Sequence, residues 1–513
     1  METNIVIVGG GSAGWLTAGL LASEYGQGSG VSVTLVESPD VKTIGVGEGT
    51  WPTMRTTLRK IGVSETEFLR ECHAAFKQGT RFNAWRINDD ADYYYHPFSA
   101  PAGYNSINLV PFWQQHQSDR SFTDVVSTQG RLCDEGLSPK QETTPEYAGV
   151  VNYGYHLDAG KFAALLQRHC TDNLSVRHIL DHVTSVNGQP DADVESISTA
   201  QHGDLKADLF IDCTGFASLL IGKHYDVPFI DCKDILFNDT ALAAQVPYAN
   251  DSAPIASQTV STAREAGWIW DIGLTSRRGI GYAFSSAHTT EAHAEAVLRR
   301  YIEATGTPDP DSIEPRKISF RSGHRETFWH RNCVAVGLSA GFLEPLEASA
   351  LVLIELSARM ISEELPANRQ SMDIVAKRFN ERFSYRWDRI IDFLKLHYVL
   401  SKRDDSDFWV DNRTEETIPD SLAEFLELWR HQVPWHGDFV QFGEVFSAAS
   451  YQYVLYGMGF ETHVRRSRAL ASNERKAAQL IADNLKKTDM LASNLRPNRD
   501  LLAWINTQAL PVA

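Results

Sequence analysis

The sequence predicts an α/β protein: a parallel, dinucleotide-binding sheet of Rossmann type with a mainly helical region after it. Three observations carry that expectation. Asn4-Ile5-Val6-Ile7-Val8 is an apolar, β-branched run of the length of one buried strand. It breaks into Gly9-Gly10-Gly11-Ser12-Ala13-Gly14, after which residues 15–22 turn helical. A second strand, residues 31–36, ends in Glu37. Strand, glycine turn, helix and strand-end acid give a G-x-G-x-x-G string its meaning. Gly9 makes the tight turn, Gly11 lets the backbone approach a pyrophosphate, and Gly14 lets helix and strand pack closely. The helix start supplies unpaired N–H groups for the phosphates. Glu37 stands where a ribose 2'-hydroxyl needs an acceptor, which favours FAD or NAD over NADP.

Bulk properties narrow the class. A chain of 513 residues, 43% hydrophobic and 22% charged, has an ordinary globular composition. Its net charge of -17 argues against a general binder of nucleic acid or anionic membrane, since both need a basic surface. No uninterrupted apolar stretch approaches the roughly eighteen residues of a membrane span. The first apolar run is already the nucleotide-binding strand, so no signal peptide is expected. Six scattered cysteines without a C-x-x-C pair suit a reduced, cytoplasmic protein.

Past Glu37, residues 42–52 hold three glycines, a proline and one acid, which reads as a loop lying flat against a bulky planar group. Residues 53–61 and 65–76 read as helices, the second ending on Lys77. Residues 78–150 read as irregular. Within them Tyr93, Tyr94, Tyr95, His96 and Phe98 either wall a pocket for a flat ligand or simply pack. Asp158 is the N-cap expected for a helix over 159–169. Residues 176–179, 183–186 and 194–198 read as short strands. Residues 209–212 form a buried strand opening into Cys213-Thr214-Gly215-Phe216, a second strand-to-glycine junction that suits a second approach to the same cofactor. Residues 225–290 read as mainly β, and 291–304 as a helix. Residues 333–337 are another buried strand, leading through Leu338 and Phe342-Leu343-Glu344-Pro345-Leu346-Glu347-Ala348-Ser349 into a helix to about residue 365. Helical patterns dominate from residue 373 on. The cofactor framework is thus discontinuous, over 1–80, 150–220 and 330–365.

The 17 histidines show no zinc-binding spacing, so no metal is expected. Gly337 to Gly341 meets the G-x-S-x-G string around Ser339, but a hydrolase has no use for the phosphate turn at Gly9–Gly14. Lys77 reads as a snorkelling lysine or a catalytic cation. Glu347 reads as a first-turn helix acid or a catalytic carboxylate. Spacing alone does not place them together.

Read together, these stretches resemble the flavin-dependent halogenases of the tryptophan halogenase type. The motifs run from Gly9–Trp15 through Gly45-Val46-Gly47-Glu48, Phe76-Lys77, Tyr155-His156-Leu157-Asp158 and Asp212–Phe216. They continue in Gly341–Glu347, Leu396-His397-Tyr398 and Asp405–Trp409. The glycine turn is shared widely; the lysine after Phe76 and the Phe342–Ser349 segment are far more specific.

The resemblance implies a GR2-type flavin monooxygenase/halogenase core over 1–365, carrying inserted substrate-side segments at 81–149 and 221–329. A helical substrate-capping region fills 366–513. It implies FAD held by Gly9, Gly11, Ser12, Ala13, Gly14, Glu37, Gly47, Glu48, Thr214, Gly215 and Leu338. The flavin, as FADH2, would come from a separate NAD(P)H-dependent flavin reductase and, with O2, would oxidise chloride or bromide to hypohalous acid. That acid would pass through a tunnel to Lys77, with Glu347 beside it taking the proton from the ring. Halide would sit at the backbone of Ser349 and Ala350, and the segment 45–52 would be the strap between flavin and substrate chambers.

The sequence departs from the family in three places. Trp268-Ile269-Trp270-Asp271-Ile272-Gly273 has glycine where the family has proline, which would loosen that turn. Ser349-Ala350 replaces Thr-Gly at the halide segment. Residues 446–459 carry Tyr451, Tyr453 and Tyr456 without the expected tryptophan pattern, and Glu461 beyond them is either an ammonium ligand or a surface acid. With His96, Phe98, Trp268 and Trp270, these residues are the substrate-side candidates. The substrate expected is indole or another electron-rich arene, with tryptophan next. A homodimer stays open. The competing class is a FAD-dependent aromatic hydroxylase, which takes NAD(P)H directly; a non-enzymatic flavoprotein would not need Lys77 and Glu347.

Overall fold

The structure, a computed structural model, describes residues 3–26, 28–41, 47–441, 443–465 and 467–512. Two compact units divide the chain. One comprises Met1–Ala74, Leu157–Cys232 and Arg321–Asp388; the other comprises Ala75–His156, Lys233–Phe320 and Arg389–Ala513.

The first unit is built on a six-stranded sheet in the order Trp329–His330, Cys333–Ala335, Leu209–Asp212, Thr3–Val8, Val31–Glu37, Arg177–Leu180. All neighbours are parallel except the Trp329–His330 edge. Helix Ser12–Glu24 connects the first two strands in sequence and is apolar on every side, as a helix buried all round must be. It packs against helices Ser349–Glu363 and Ala159–Asn173. The expected cap holds: Asp158 accepts from Lys161 N at the start of Ala159–Asn173, which runs four residues past the expected end.

The second unit is built on a seven-stranded sheet in the order Arg316–Ser319, Thr240–Val246, Arg278–Phe284, Gly267–Gly273, Thr259–Arg264, Gly79–Asn83, Tyr93–Pro97. Its pairs are antiparallel except Thr259–Arg264 with Gly79–Asn83. Helix Glu291–Ala304, bounded as expected and capped by Thr290, lays Ala294, Val297, Leu298 and Ile302 on a core with Leu242, Ile269, Ile280, Tyr282 and Phe284. Among the described residues no helix is long and apolar enough to cross a membrane.

Three expectations are corrected. Lys77 does not end a helix: the helix is Glu65–Glu71, and Ala75–Lys77 is a strand. His73, at φ 47°, takes the left-handed conformation that stops the helix, and Ala74 N closes back on Leu69 O. Residues 78–150 are not irregular. They hold strands Gly79–Asn83 and Tyr93–Pro97 and helices Val110–His116, Phe122–Val126 and Gln129–Asp134. The aromatics there pair across strands, Phe82 stacking on Tyr94 at 4.8 Å. Of the loop expected over 42–52, Gly47–Gly49 is a short strand; Lys42, Thr43, Ile44, Gly45 and Val46 lie outside the described residues.

At the first junction Gly9 sits at φ 116°, and a Cβ on Gly14 would stand 1.9 Å from the Gly9 carbonyl oxygen. Gly14→Ala would gain about 1 kcal/mol of helix propensity. It would also force the new Cβ against the Gly9 main chain, which costs about 1–3 kcal/mol or more because a backbone carbonyl cannot swing aside as a side chain can. The variant should therefore unfold at lower denaturant concentration than the parent; an unchanged or higher midpoint would show that the junction can relax.

Candidate active site

In the first unit Gly9 to Gly14, Glu37, Thr214, Gly215 and Leu338 lie at or just past the C-terminal ends of the parallel strands, where open α/β sheets bind ligands. Gly11 precedes helix Ser12–Glu24, whose start no side chain caps. Nothing stands within 4 Å of where a Gly11 Cβ would be. Ser12 and Ala13 are half-buried in the first turn. An uncapped helix start with open space before it is a cradle for an anion and fits a dinucleotide pyrophosphate. Glu37 closes its strand half-buried, Oε2 lying 3.1 Å from His178 Nε2. A Cβ at Gly10 would strike the Glu37 carboxylate, so glycine leaves the acid its place. Gly47 and Glu48 lie in the Gly47–Gly49 strand. Although Glu48 keeps some surface, desolvation by the surrounding protein pushes its carboxyl up to about 7.

The loop holding Thr214 and Gly215 is organised by the carboxylate that ends the preceding strand, for which sequence pattern implies no role. Asp212 accepts from Thr214 N (3.0 Å), Thr214 Oγ1 (2.6 Å), and Leu220 N and Ile221 N (2.9 Å each). Leu338 sits half-buried in the turn after Cys333–Ala335. The neighbouring Ser339 hydroxyl donates to the carbonyl oxygens of Asp212 and Val336, closing this loop instead of serving as a nucleophile.

Glu347 is 6% exposed and takes a left-handed conformation (φ 63°, ψ 6°), as does Ala348 (φ 55°, ψ 46°). Each such non-glycine residue costs about 1–2 kcal/mol. Ser349 and Ala350 open helix Ser349–Glu363, so their N–H groups have no partner within it. With Leu338 they line a cavity of about 40 Å³ walled by Phe342, Phe379 and Trp387. Further along that helix the carboxyl of Glu355 accepts from Thr53 Oγ1 (3.2 Å) and Thr57 Oγ1 (2.6 Å), and burial pushes it up to about 8.

In the second unit Lys77 is 1% exposed, with Nζ 5.3 Å from the Phe98 ring centroid. His156 pairs with Ala75 on the adjoining strand, and its Nε2 lies 2.8 Å from Thr259 Oγ1. Burial, then the Lys77 charge, hold this ring well below the usual histidine range, so it is neutral at pH 7. His96 lies 5.5, 6.3 and 6.4 Å from the rings of Phe393, Phe446 and Tyr453. Tyr453 Oη donates to Ser99 O at 2.9 Å. Tyr456 pairs with Thr462 and packs on Trp113 and Phe122. Tyr451 is embedded among Phe393, Trp429 and Phe439, and Glu461 is exposed. Trp268 and Trp270 are buried 6.0 Å apart. Gly273 pairs with Arg278 within the sheet, and a Cβ there would stand 2.9 Å from Ile255 Cγ2 and 3.0 Å from Tyr248 Oη. Crowding, not the looser turn expected, is what glycine answers to here.

Comparison with known proteins matches residues 4–473 to the tryptophan halogenase family model. The chain is 34% identical to tryptophan 6-halogenase SttH of Streptomyces toxytricini over 93% of this chain and 92% of that one. It is similar to the crystal structure of a tryptophan halogenase from Shewanella frigidimarina, with TM-score 0.97 and 48% identity over 100% of this chain and 99% of that one. It is also similar to BrvH, a flavin-dependent halogenase from Brevundimonas sp. BAL3, with TM-score 0.85 and 31% identity over 98% and 99%.

Glu355 gives this site a pH signature. Its folded carboxyl titrates near 8 against an ordinary 4.5, so between those values the folded state holds the extra proton. Stability from this group is full below about 4.5 and falls as pH rises through about 8. Glu355→Gln removes the titration. The parent should lose stability relative to that variant between pH 5 and 8, by on the order of 4 kcal/mol at most. Parallel urea titrations would show this, and a pH-independent difference would refute it.

Proposed function

This chain belongs to the tryptophan halogenase family and is a flavin-dependent halogenase; on that premise we propose that it halogenates an electron-rich arene, with indole preferred to tryptophan. The observation that carries the active-site reading is Lys77, a lysine 1% exposed against an aromatic ring. Taking an ammonium out of water costs several kcal/mol, which a merely snorkelling lysine avoids.

The N-terminus of helix Ser12–Glu24 with Gly9, Gly11 and Gly14 holds the pyrophosphate, and Glu37 the ribose. Gly47, Glu48, Thr214, Gly215 and Leu338 flank the rest of the cofactor. When bound, reduced FAD would give two electrons and O2 would take them, so that one oxygen atom leaves as water and the other goes to chloride or bromide as hypohalous acid. The N–H groups of Ser349 and Ala350 bind the halide. Lys77 holds the hypohalous acid by hydrogen bond and polarises it toward the ring. Glu347 offsets the positive charge growing on the arene and accepts its proton. His96 and Phe98 grip the ring, Trp268 and Trp270 wall it, and Tyr453 fixes the segment that follows His96. The sequence carries one glycine-turn fingerprint, so a separate NAD(P)H-dependent reductase supplies the reduced flavin in the cytoplasm.

The test is purified protein with FAD, a flavin reductase, NADH and bromide or chloride, run against indole, tryptophan and substituted arenes with mass detection. Halogenated indole should form with higher kcat/KM than halogenated tryptophan. Rapid reduction of bound FAD by NADH alone, with a hydroxylated product, would favour a single-component hydroxylase instead. Lys77→Ala should bind FAD normally and yield almost no halogenated product; near-normal product would overturn the mechanism. Glu347→Gln should slow turnover roughly 10²- to 10³-fold, equivalent to about 2–4 kcal/mol of barrier.

A further inference from the structure

The turn that carries Glu347 is held from outside itself. Glu347 and Ala348 are consecutive left-handed residues, neither of them glycine, and L-residues leave that conformation unless their surroundings fix them. The peptide joining the two is tied at both ends. Its N–H, that of Ala348, donates to Pro345 O at 3.0 Å within the turn. Its oxygen, that of Glu347, accepts from the indole Nε1 of Trp51 at 3.0 Å. Any rotation of this peptide toward an unstrained conformation breaks both bonds.

Trp51 is itself anchored. It stands just before helix Thr53–Ile61, whose Thr53 and Thr57 hydroxyls donate to Glu355 on helix Ser349–Glu363. The segment 51–57 thus grips the segment 347–355 at three points, and the Trp51 bond is the one that falls on the strained peptide.

We propose that Trp51 is a positioning residue for halogenation: its indole N–H holds the left-handed Glu347–Ala348 turn. With the turn it holds the Glu347 carboxylate and the first N–H groups of helix Ser349–Glu363. This rests on the role given above to Glu347. The interaction is one neutral donor on one carbonyl, and its worth lies in where it acts: without it, Glu347 samples orientations from which it neither reaches the ring proton nor offsets the ring charge.

The experiment compares the parent with Trp51→Phe, Ala348→Gly, the double variant and Glu347→Gln. Two readouts serve: amide hydrogen exchange of peptides covering residues 345–351 in flavin-free protein, and kcat and KM for indole under saturating flavin supply. Trp51→Phe should exchange at least about fivefold faster in that segment and lose at least about tenfold in kcat, with KM within about twofold. Glycine tolerates φ 55° without steric cost, so Ala348→Gly in the Trp51→Phe background should restore most of the protection and several-fold of the kcat. Parent-like exchange and turnover in Trp51→Phe, or a double variant no better than the single, would overturn the proposal. Where Trp51→Phe fails to fold, the benzothienyl analogue of tryptophan at position 51 replaces N–H by sulfur at nearly equal ring volume and is read the same way. Near-normal turnover by Glu347→Gln overturns both the role of Glu347 and the positioning built on it. Slow Glu347→Gln with parent-like Trp51→Phe overturns the positioning alone.

Discussion

The approach of residue 14 to the carbonyl oxygen of Gly9 sets the geometry of the first unit. With only 1.9 Å between that oxygen and where a Cβ would stand, helix Ser12–Glu24 lies flush against the turn it leaves. That closeness lets the helix be buried on every side between helices Ala159–Asn173 and Ser349–Glu363. It also brings the uncapped N–H groups of its first turn beside the ends of the parallel strands. A bulkier residue would push the helix away and spoil packing and anion cradle together. One steric requirement thus serves stability and binding, which is why the glycine spacing reads so clearly.

Sequence was informative where a local rule decides structure. Period and glycine placement are enough for the first strand, turn and helix, and Asp158 as N-cap is enough for the start of Ala159–Asn173. Apolar periodicity continues past Glu71 and so extends the predicted helix to Lys77, while the break comes from a left-handed histidine that no composition rule marks. Strand Tyr93–Pro97 hid in aromatic density: its side chains are legible as bulky but not as cross-strand partners. Trp51 and Glu347 are 296 residues apart, and Asp212 acts on a loop whose turn is defined only by the fold. Positive φ at Glu347 and Ala348 was invisible for the same reason, since neither is a residue type that announces it.

The two units handle buried charge in different ways. In the second, Lys77 has the neutral ring of His156 near it on the paired strand and the π face of Phe98 against its ammonium. A protonated histidine would repel that ammonium, and burial together with the lysine itself prevents it. In the first, the carboxyls of Glu48 and Glu355 are both driven upward by desolvation, toward about 7 and about 8.

The neutral form of Glu355 matters for what its helix begins with. Glu355 lies six residues beyond Ser349, about 9 Å along the axis at the α-helical rise. An ionised carboxylate there would oppose a halide at the proposed site by about 2 kcal/mol at an effective dielectric near 20, more than a tenfold loss in halide affinity. Held protonated, it keeps both threonine contacts on helix Thr53–Ile61 and imposes no such penalty. An apolar residue would avoid the repulsion too, but it would leave the two helices to slide, because dispersion contacts fix area better than register. Directed hydrogen bonds to a group kept uncharged by its own burial secure the registration that the Trp51 bond to the Glu347 carbonyl requires.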